Sequence, residues 1–492
     1  GVPLTDAESS TILDSLDTQD IEKIEVSKGP GNIYNAGTAG GTVQIFSKSV
    51  FDETANAAKI GLGEYGAQNY HLRYGGMVAK DQALALTVSR RSEENDWRRW
   101  NAFDTDQFSV KHGMLLGGNA TWESELSYAN ANLQQPGSMS AAQFENFRQT
   151  GTQPETQDEW KHTARYSSTR SFNTKYEQEM GAWTFRPRFY FKQTDFTNAN
   201  QAYISETVDW TQSLGAELEA HHRHRIGGAR GTLVAGLTLK QETNDDMRKY
   251  EYRDVKIVGG KITATLSDAK GKLAQTMDYR DSLYGVFLQE ILQPGDRLLV
   301  DMGFRLDRSS FDINQNEITK FNFVAMKYLP GAGRSSSSSD FDLFSRKLGA
   351  SYRLTRELSL YGSAAQSEQA PSNSDMINNP NLKAPRSRNY EIGLKGRSER
   401  WSFDAAYYVN PVEDEIVQFK VNGETIFANA GKTDKRGVEL SGSYRFARGL
   451  EAGASYAYSD YTYDEFVETV NGVNVSRAGN RVPYVPRNQY SL

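Results

Sequence analysis

Along most of the chain, apolar and polar residues alternate with period two. The clearest run is 183–192. Trp183, Phe185, Pro187, Phe189 and Phe191 share one face, and Thr184, Arg186, Arg188, Tyr190 and Lys192 share the other. In 298–307, Leu298, Val300, Met302, Phe304 and Leu306 oppose Leu299, Asp301, Gly303, Arg305 and Asp307; 401–410 and 438–446 repeat the pattern. Successive side chains of a strand point to opposite sheet faces, so these runs predict strands with one apolar face. Aromatics opposite cations allow two architectures. A soluble sandwich would bury the aromatic face; a membrane barrel would turn it to lipid and the cations to a wet lumen. Full charges on the polar phase are unusual in a soluble core and ordinary in a lumen.

The connections discriminate further. Eight short turns are predicted at Ala79–Gln82, Leu116–Asn119, Met180–Ala182, Gly227–Arg230, Pro294–Arg297, Thr355–Glu357, Ser398–Arg400 and Ala447–Gly449. Between them lie longer polar segments at 90–104, 131–167, 194–206, 242–280, 309–340, 366–387, 411–433 and 460–483, and Ser335–Ser339 reads as a mobile loop. Soluble domains seldom carry several structureless loops beyond about 12–15 residues. Tight turns at one end and long loops at the other are the plan of an outer-membrane barrel. Eight turns predict sixteen strands, and Tyr484–Leu492 starts a seventeenth. An open barrel edge in lipid is not tolerated, so the natural protein is expected to continue past Leu492. Gly1 is not an initiator methionine, so residues are expected before it as well. The first segment, to about Ser49, is Gly-rich, with strand-like stretches at 21–26 and 42–46.

Composition sharpens this picture. The 492 residues carry 56 Lys and Arg against 62 Asp and Glu, a net charge of −6, which argues against a nucleic-acid partner. Cysteine is absent, which excludes disulfides, thiolate metal sites and a cysteine nucleophile. Mean hydropathy is −0.65 and no apolar run of about 18 residues occurs, so helical membrane spans are not expected. With 26 Tyr, 23 Phe and 42 Gly, the composition suits a barrel whose alternating strands average out as polar.

Five segments carry a family resemblance. The string Asp20-Ile21-Glu22-Lys23-Ile24-Glu25-Val26-Ser27-Lys28-Gly29-Pro30, then Tyr34, then Gly40-Gly41-Thr42-Val43-Gln44-Ile45-Phe46-Ser47-Lys48, resembles the end of the plug domain of TonB-dependent outer-membrane receptors. Gly1-Val2-Pro3-Leu4 resembles an earlier plug strand. Ala370-Pro371-Ser372, Asn379–Lys383 and Asn389–Lys395 are similar to a barrel segment of the same family, as are Arg436–Leu440 and Val485-Pro486-Arg487 further on. Three departures stand out. Asn35 occupies a usual Gly position, where it would tolerate the left-handed region. The stretch between Pro30 and Tyr34 is one residue short, and Ala384-Pro385-Arg386 replaces the usual Pro-Glu.

The resemblance implies an all-β membrane protein, an antiparallel transmembrane barrel of 22 strands with the end of an N-terminal plug inside. About 16–17 strands would be present here, with plug to residue 50 and barrel over 51–492. It implies residence in the bacterial outer membrane, in contact with its lipid. It implies energised import of a scarce ligand, foremost a ferric siderophore, with the TonB–ExbB–ExbD complex acting through a region missing from this chain. No cofactor is expected and no enzymatic role. Cobalamin, another metal chelate or an oligosaccharide would suit the same mechanism; a passive porin and a surface docking protein are rivals of another class.

Within that frame, Gly29, Pro30, Gly40 and Gly41 are expected to let the plug turn sharply. Tyr34, at the tip after Gly-Pro, is a ligand-contact candidate, or else packs against the barrel wall. Trp97, Arg98, Arg99 and Trp100 would grip an anionic aromatic ligand, or form part of an interfacial girdle. Glu391 and Glu439 fall on the polar phase, facing the lumen, and the resemblance implies plug cations as partners, with Lys48 foremost. His221, His222 and His224 are a weak metal tract, since adjacent strand residues face opposite ways. None of the six histidines lies in 365–390, where haem receptors of the family carry one, so haem uptake is not expected.

Overall fold

The structure is a computed structural model, and it describes all residues except 1, 8–10, 14–15, 38, 53–55, 154–159, 201–204, 253, 259–260, 268, 422–423, 430 and 471–472. Gly1 of the resemblance therefore lies outside the described residues. The first segment forms an antiparallel hairpin of β1 (Ile21–Lys28) and β2 (Gly41–Ser47), whose connection opens with a single 3-10 turn at Gly29–Gly31.

The remaining chain is dominated by one large antiparallel sheet. Its strands begin with β3 (Ala57–Leu62), β4 (Gln68–Ala79), β5 (Gln82–Glu93), β6 (Phe103–Leu116) and β7 (Ala120–Gln134). After helix α1 (Ala141–Thr150) come β8 (Ala164–Met180), β9 (Trp183–Asn200), β10 (Ser205–Ile226) and β11 (Ala229–Tyr252). A separate hairpin of β12 (Val255–Val258) and β13 (Lys261–Thr265) precedes β14 (Lys270–Gln293), β15 (Leu298–Asn322), β16 (Lys327–Arg353) and β17 (Leu358–Glu368). Helix α2 (Asn373–Asn378) leads to β18 (Arg386–Arg397) and β19 (Trp401–Glu413). Hairpin β20 (Ile416–Val421) and β21 (Glu424–Asn429) leads to β22 (Lys432–Ala447) and β23 (Leu450–Glu465). Hairpin β24 (Val467–Val470) and β25 (Val473–Ser476) leads to β26 (Asn488–Ser491). Eighteen of these strands form a barrel in sequence order, with β26 next to β3 in the cycle. Registered ladders join every consecutive pair; among the described residues none joins β26 to β3.

All eight short turns fall where the sequence puts them, as in Ala79 to Gln82 and Gln293 to Leu298. Two glycine pairs serve two of these turns: Gly117-Gly118 and Gly227-Gly228 all have φ between 54° and 86°. The strand count differs from the sequence reading by one, because β3 joins the sheet ahead of the first predicted pair. The long segments differ more. Most of 309–340 is strand, and Ser335–Ser339 pairs residue for residue with Phe311–Gln315, so it is not a loop. Small serines sit in a ladder without clash, and Ser336 Oγ donates to Asn314 at 2.8 Å. β15 and β16 have 25 and 27 residues. About 9–11 suffice to cross a bilayer, so the excess stands beyond it, where the outer face is polar and the apolar residues, Phe311 and Ile313, turn inward.

Burial decides between sandwich and barrel. Leu84, Leu86 and Val88 on β5, Met302, Phe304 and Leu306 on β15, and Tyr390 and Ile392 on β18 are all exposed on the outer face. Arg305, on the other phase of β15, is 0% exposed and Arg73 on β4 is 1%. Buried polar residues outnumber buried apolar ones, the inverse of a soluble core. Trp183 stacks on Phe185, Trp401 on Phe403, and Tyr444 meets Phe446 edge-on, all beside short turns, where an interfacial aromatic belt belongs.

Candidate functional site

Residues before Ser49 touch inward-facing side chains from β4 round to β22, so this segment occupies the lumen. The densest contact is acidic on the segment and cationic on the wall. Asp20 Oδ2 lies 2.6 Å from Lys111 Nζ, and Oδ1 lies 3.4 Å from Arg73 Nε. Asp17 Oδ2 accepts from Ser89 Oγ at 2.6 Å and lies 3.0 Å from His71 Nδ1. Arg73 also donates to the carbonyls of Ser49 and Asp52, fixing the chain where it passes into the barrel. The Lys111 and Asp20 side chains are 7% and 10% exposed. In such a dry setting, deleting one partner strands the other charge at about 3–5 kcal/mol.

Glu439 does meet a cation of the segment, but the cation is Lys28, not Lys48. Lys28 and Lys48 stand at opposite ends of the hairpin, since Lys28 pairs with Gly41 and Ile21 with Ser47. Lys48 Nζ instead donates to the Gln19 carbonyl at 2.6 Å. The Lys28–Glu439 pair is 67% and 30% exposed on its two sides, so it is worth under about 1 kcal/mol and cannot be the main lock. Glu391 faces inward, where it accepts from Tyr361 on the neighbouring strand at 2.9 Å, a contact of wall with wall.

Tyr34 packs against the wall. Its ring meets Phe287 edge-on at 5.2 Å, beside Ile33 and Val234, in the half of β14 that leads to the short turn before β15. Burial, and then the nearby Glu219 and Asp301 carboxylates, push its hydroxyl up to about 12. Arg305 holds the same loop, its Nη1 donating to the carbonyls of Tyr34 at 3.1 Å and Ile33 at 3.4 Å. Of the four turn residues, Gly29 (φ 66°) lies tight against Asn389, Pro30 is buried, and Gly41 (φ 117°) has no room for a Cβ beside the Ser27 carbonyl. Gly40 has open space around it and no positive φ, so no constraint demands glycine there. Asn35 has no positive φ either; Gly37 (φ 66°) takes the left-handed turn in its place.

At the long-loop end, Trp97, Arg98 and Trp100 lie in the connection between β5 and β6, all half-buried. Trp97 tilts against Phe147 of α1 at 5.0 Å, its carbonyl accepts from Gln153 N at 2.7 Å, and Arg98 donates to the Gly137 carbonyl. These contacts fasten one long loop to the next. Burial lowers the Arg98 guanidinium from its ordinary value. Trp100 sits at φ 60°, a rare conformation for a bulky residue. The histidines form no metal site: His222 stacks on Trp183 and His224 pairs with Glu290 on the outer face, while His221 contacts Glu219. Among the described residues, no group of three or more His, Asp or Glu is arranged to hold a metal.

A barrel with a lipid-facing apolar exterior, a charged interior and a folded segment clamped in its lumen defines a class: a plugged integral protein of the bacterial outer membrane. A family model described as "TonB dependent receptor-like, beta-barrel" matches residues 85–492, and the chain belongs to the TonB-dependent receptor family. A pesticin receptor of Yersinia pestis is 31% identical over 149 residues, covering 29% of this chain and 20% of that protein. Vitamin B12 transporter BtuB of Vibrio vulnificus is 23% identical over 465 residues, covering 90% of this chain and 63% of that protein. The chain thus spans less than two thirds of these relatives. Siderophore receptor PiuA of Acinetobacter baumannii superposes with a TM-score of 0.74 at 15% identity, over 98% of this chain and 75% of that one. Unliganded ferric citrate transporter FecA gives 0.73 at 16%, over 97% and 69%.

Sequence reasoning missed the acidic pair and its cationic wall. Asp20 was visible only as the start of a motif, and nothing local ties it to Lys111, which is 91 residues away. The signal that could have found it was the run of inward-phase cations, Arg73 and Lys111, on β4 and β6.

Proposed function

We propose that this receptor imports a ferric siderophore through energised rearrangement of a plug formed by residues up to 50, inside a barrel formed by 51–492. The observation that carries the reading is the dry set of contacts from the segment to the β4–β6 wall, Asp20 in ion pairs with Lys111 and Arg73 and Asp17 hydrogen-bonded to His71 and Ser89. A lumen filled by a charge-locked segment suits a gated transporter and argues against a steadily open porin. Opening such a lock calls for work, which the TonB–ExbB–ExbD complex would supply from the periplasm. The ligand would first meet the long-loop end, where the Trp97–Trp100 loop lies, and not Tyr34, whose ring is spent on the wall. Iron is favoured because the siderophore receptor PiuA and the ferric citrate transporter FecA share the fold. Cobalamin is the second reading, favoured by the match to a vitamin B12 transporter along 90% of the chain.

The test is a titration of the receptor made from its complete gene, with ferric hydroxamate, ferric catecholate, ferric citrate, cobalamin and haem, read by tryptophan fluorescence. Tight binding of one ferric chelate is expected. Binding of cobalamin alone would replace the iron reading with the second one, and silence across the panel would sink both.

A further inference from the structure

One contact joins the long-loop end directly to the plug. The connection between β17 and β18 turns into the lumen and forms α2, capped by the reciprocal Ser372 and Asp375 bonds. The Asn373 N–H donates to the Ala7 carbonyl at 2.9 Å. On its other side, the Ala7 N–H donates to Glu242 Oε1 on β11 at 2.7 Å. Glu242 and Asn373 are both almost wholly buried. Met376 and Leu382 close an apolar cluster over Ala7 with Met277, Tyr279 and Ile313. The connection is in turn strapped to the β20–β21 hairpin: Asn379 Nδ2 donates to the Phe427 carbonyl at 3.1 Å, and Asn429 exchanges bonds with the Lys383 backbone at 2.9 and 3.0 Å.

We propose that Ala7 is where ligand engagement outside is passed to the plug. In the arrangement seen, α2 presses Ala7 onto Glu242 and so holds the early plug segment at its outer end. A ligand that binds better when α2 and the β20–β21 hairpin shift would free Ala7 and lower the work needed to withdraw the plug. A ligand moves such an equilibrium only by its differential affinity for the two arrangements, and the coupling is reciprocal. The proposal rests on the transport reading for its purpose and on Ala7 alone for its geometry.

Two arms test it in the receptor from its complete gene. The first needs no ligand. Asn373→Pro removes the donated N–H but suits the first helical position, and Ser372 (φ −73°, ψ 163°) already has the extended conformation that proline demands before it. Amide exchange around Ala7 is expected to quicken about tenfold while β1 stays unchanged. Unchanged exchange at Ala7 would overturn the proposal. The second arm uses the absence of cysteine from the chain. Ala7→Cys with Asn373→Cys, oxidised, is expected to bind the radiolabelled ferric catecholate or ferric citrate that the panel selects less tightly than after reduction, and at saturating chelate to import it about tenfold more slowly. Equal import by the oxidised and reduced forms would overturn it. A silent chelate panel sinks the transport reading, and amide exchange at Ala7 then decides the contact by itself.

Discussion

Replacing Asp20 with alanine is expected to loosen the plug more than any other single change in the segment. Asp20 faces Lys111 at 2.6 Å and Arg73 at 3.4 Å, and all three side chains are at most 10% exposed. Its removal leaves two buried cations facing each other, with an expected cost of about 3–5 kcal/mol. Amide exchange in β1 and β2 should rise roughly a hundredfold or more, since every 1.4 kcal/mol is a factor of ten. Lys28→Ala, which breaks the exposed pair with Glu439, should change it by less than about tenfold. Adding Lys111→Met to Asp20→Ala should recover part of the loss, because it removes one stranded charge. Equal effects of the Asp20 and Lys28 variants would show that the lock lies elsewhere.

Arg305→Met is expected to have the second largest effect. The guanidinium makes three close contacts with Asp307, at 2.7 and 2.8 Å, and caps the carbonyls of Ile33 and Tyr34. Methionine keeps much of the stem's volume but leaves the Asp307 carboxylate buried without a counter-charge, at about 3–5 kcal/mol. Burial already raises Asp307's cost, because both residues are almost wholly buried. Adding Asp307→Asn should return more than half of the lost heat stability; the remainder belongs to the two uncapped carbonyls, at about 1–3 kcal/mol each. Thermal unfolding of the single and double variants in detergent checks this. A double variant no more stable than the single would contradict the charge argument.

The barrel was legible because its two signals are local. Alternation marks a strand wherever lipid lies on one side and water on the other, as along 183–192, and Gly, Pro and Asn mark the tight turns. Beyond the bilayer the outer face is polar and the apolar phase turns inward, so 309–340 read as loop although Phe311 and Ile313, with Phe341 opposite, pin it as strand. The site was less legible, because its contacts span the sequence. The inward phase of Glu439 could be counted along its strand, but which lysine met it depended on how the hairpin sits in the lumen. Ala7, Glu242 and Asn373 carry no motif; only the topology brings them together.

The most direct measurement is accumulation of the radiolabelled ferric chelate by cells carrying the complete receptor gene, with and without a protonophore. Energised transport past a locked plug predicts uptake that stops when the proton gradient collapses, while surface binding persists. Uptake that continues unchanged without the gradient would contradict it and mark the barrel as a passive pore.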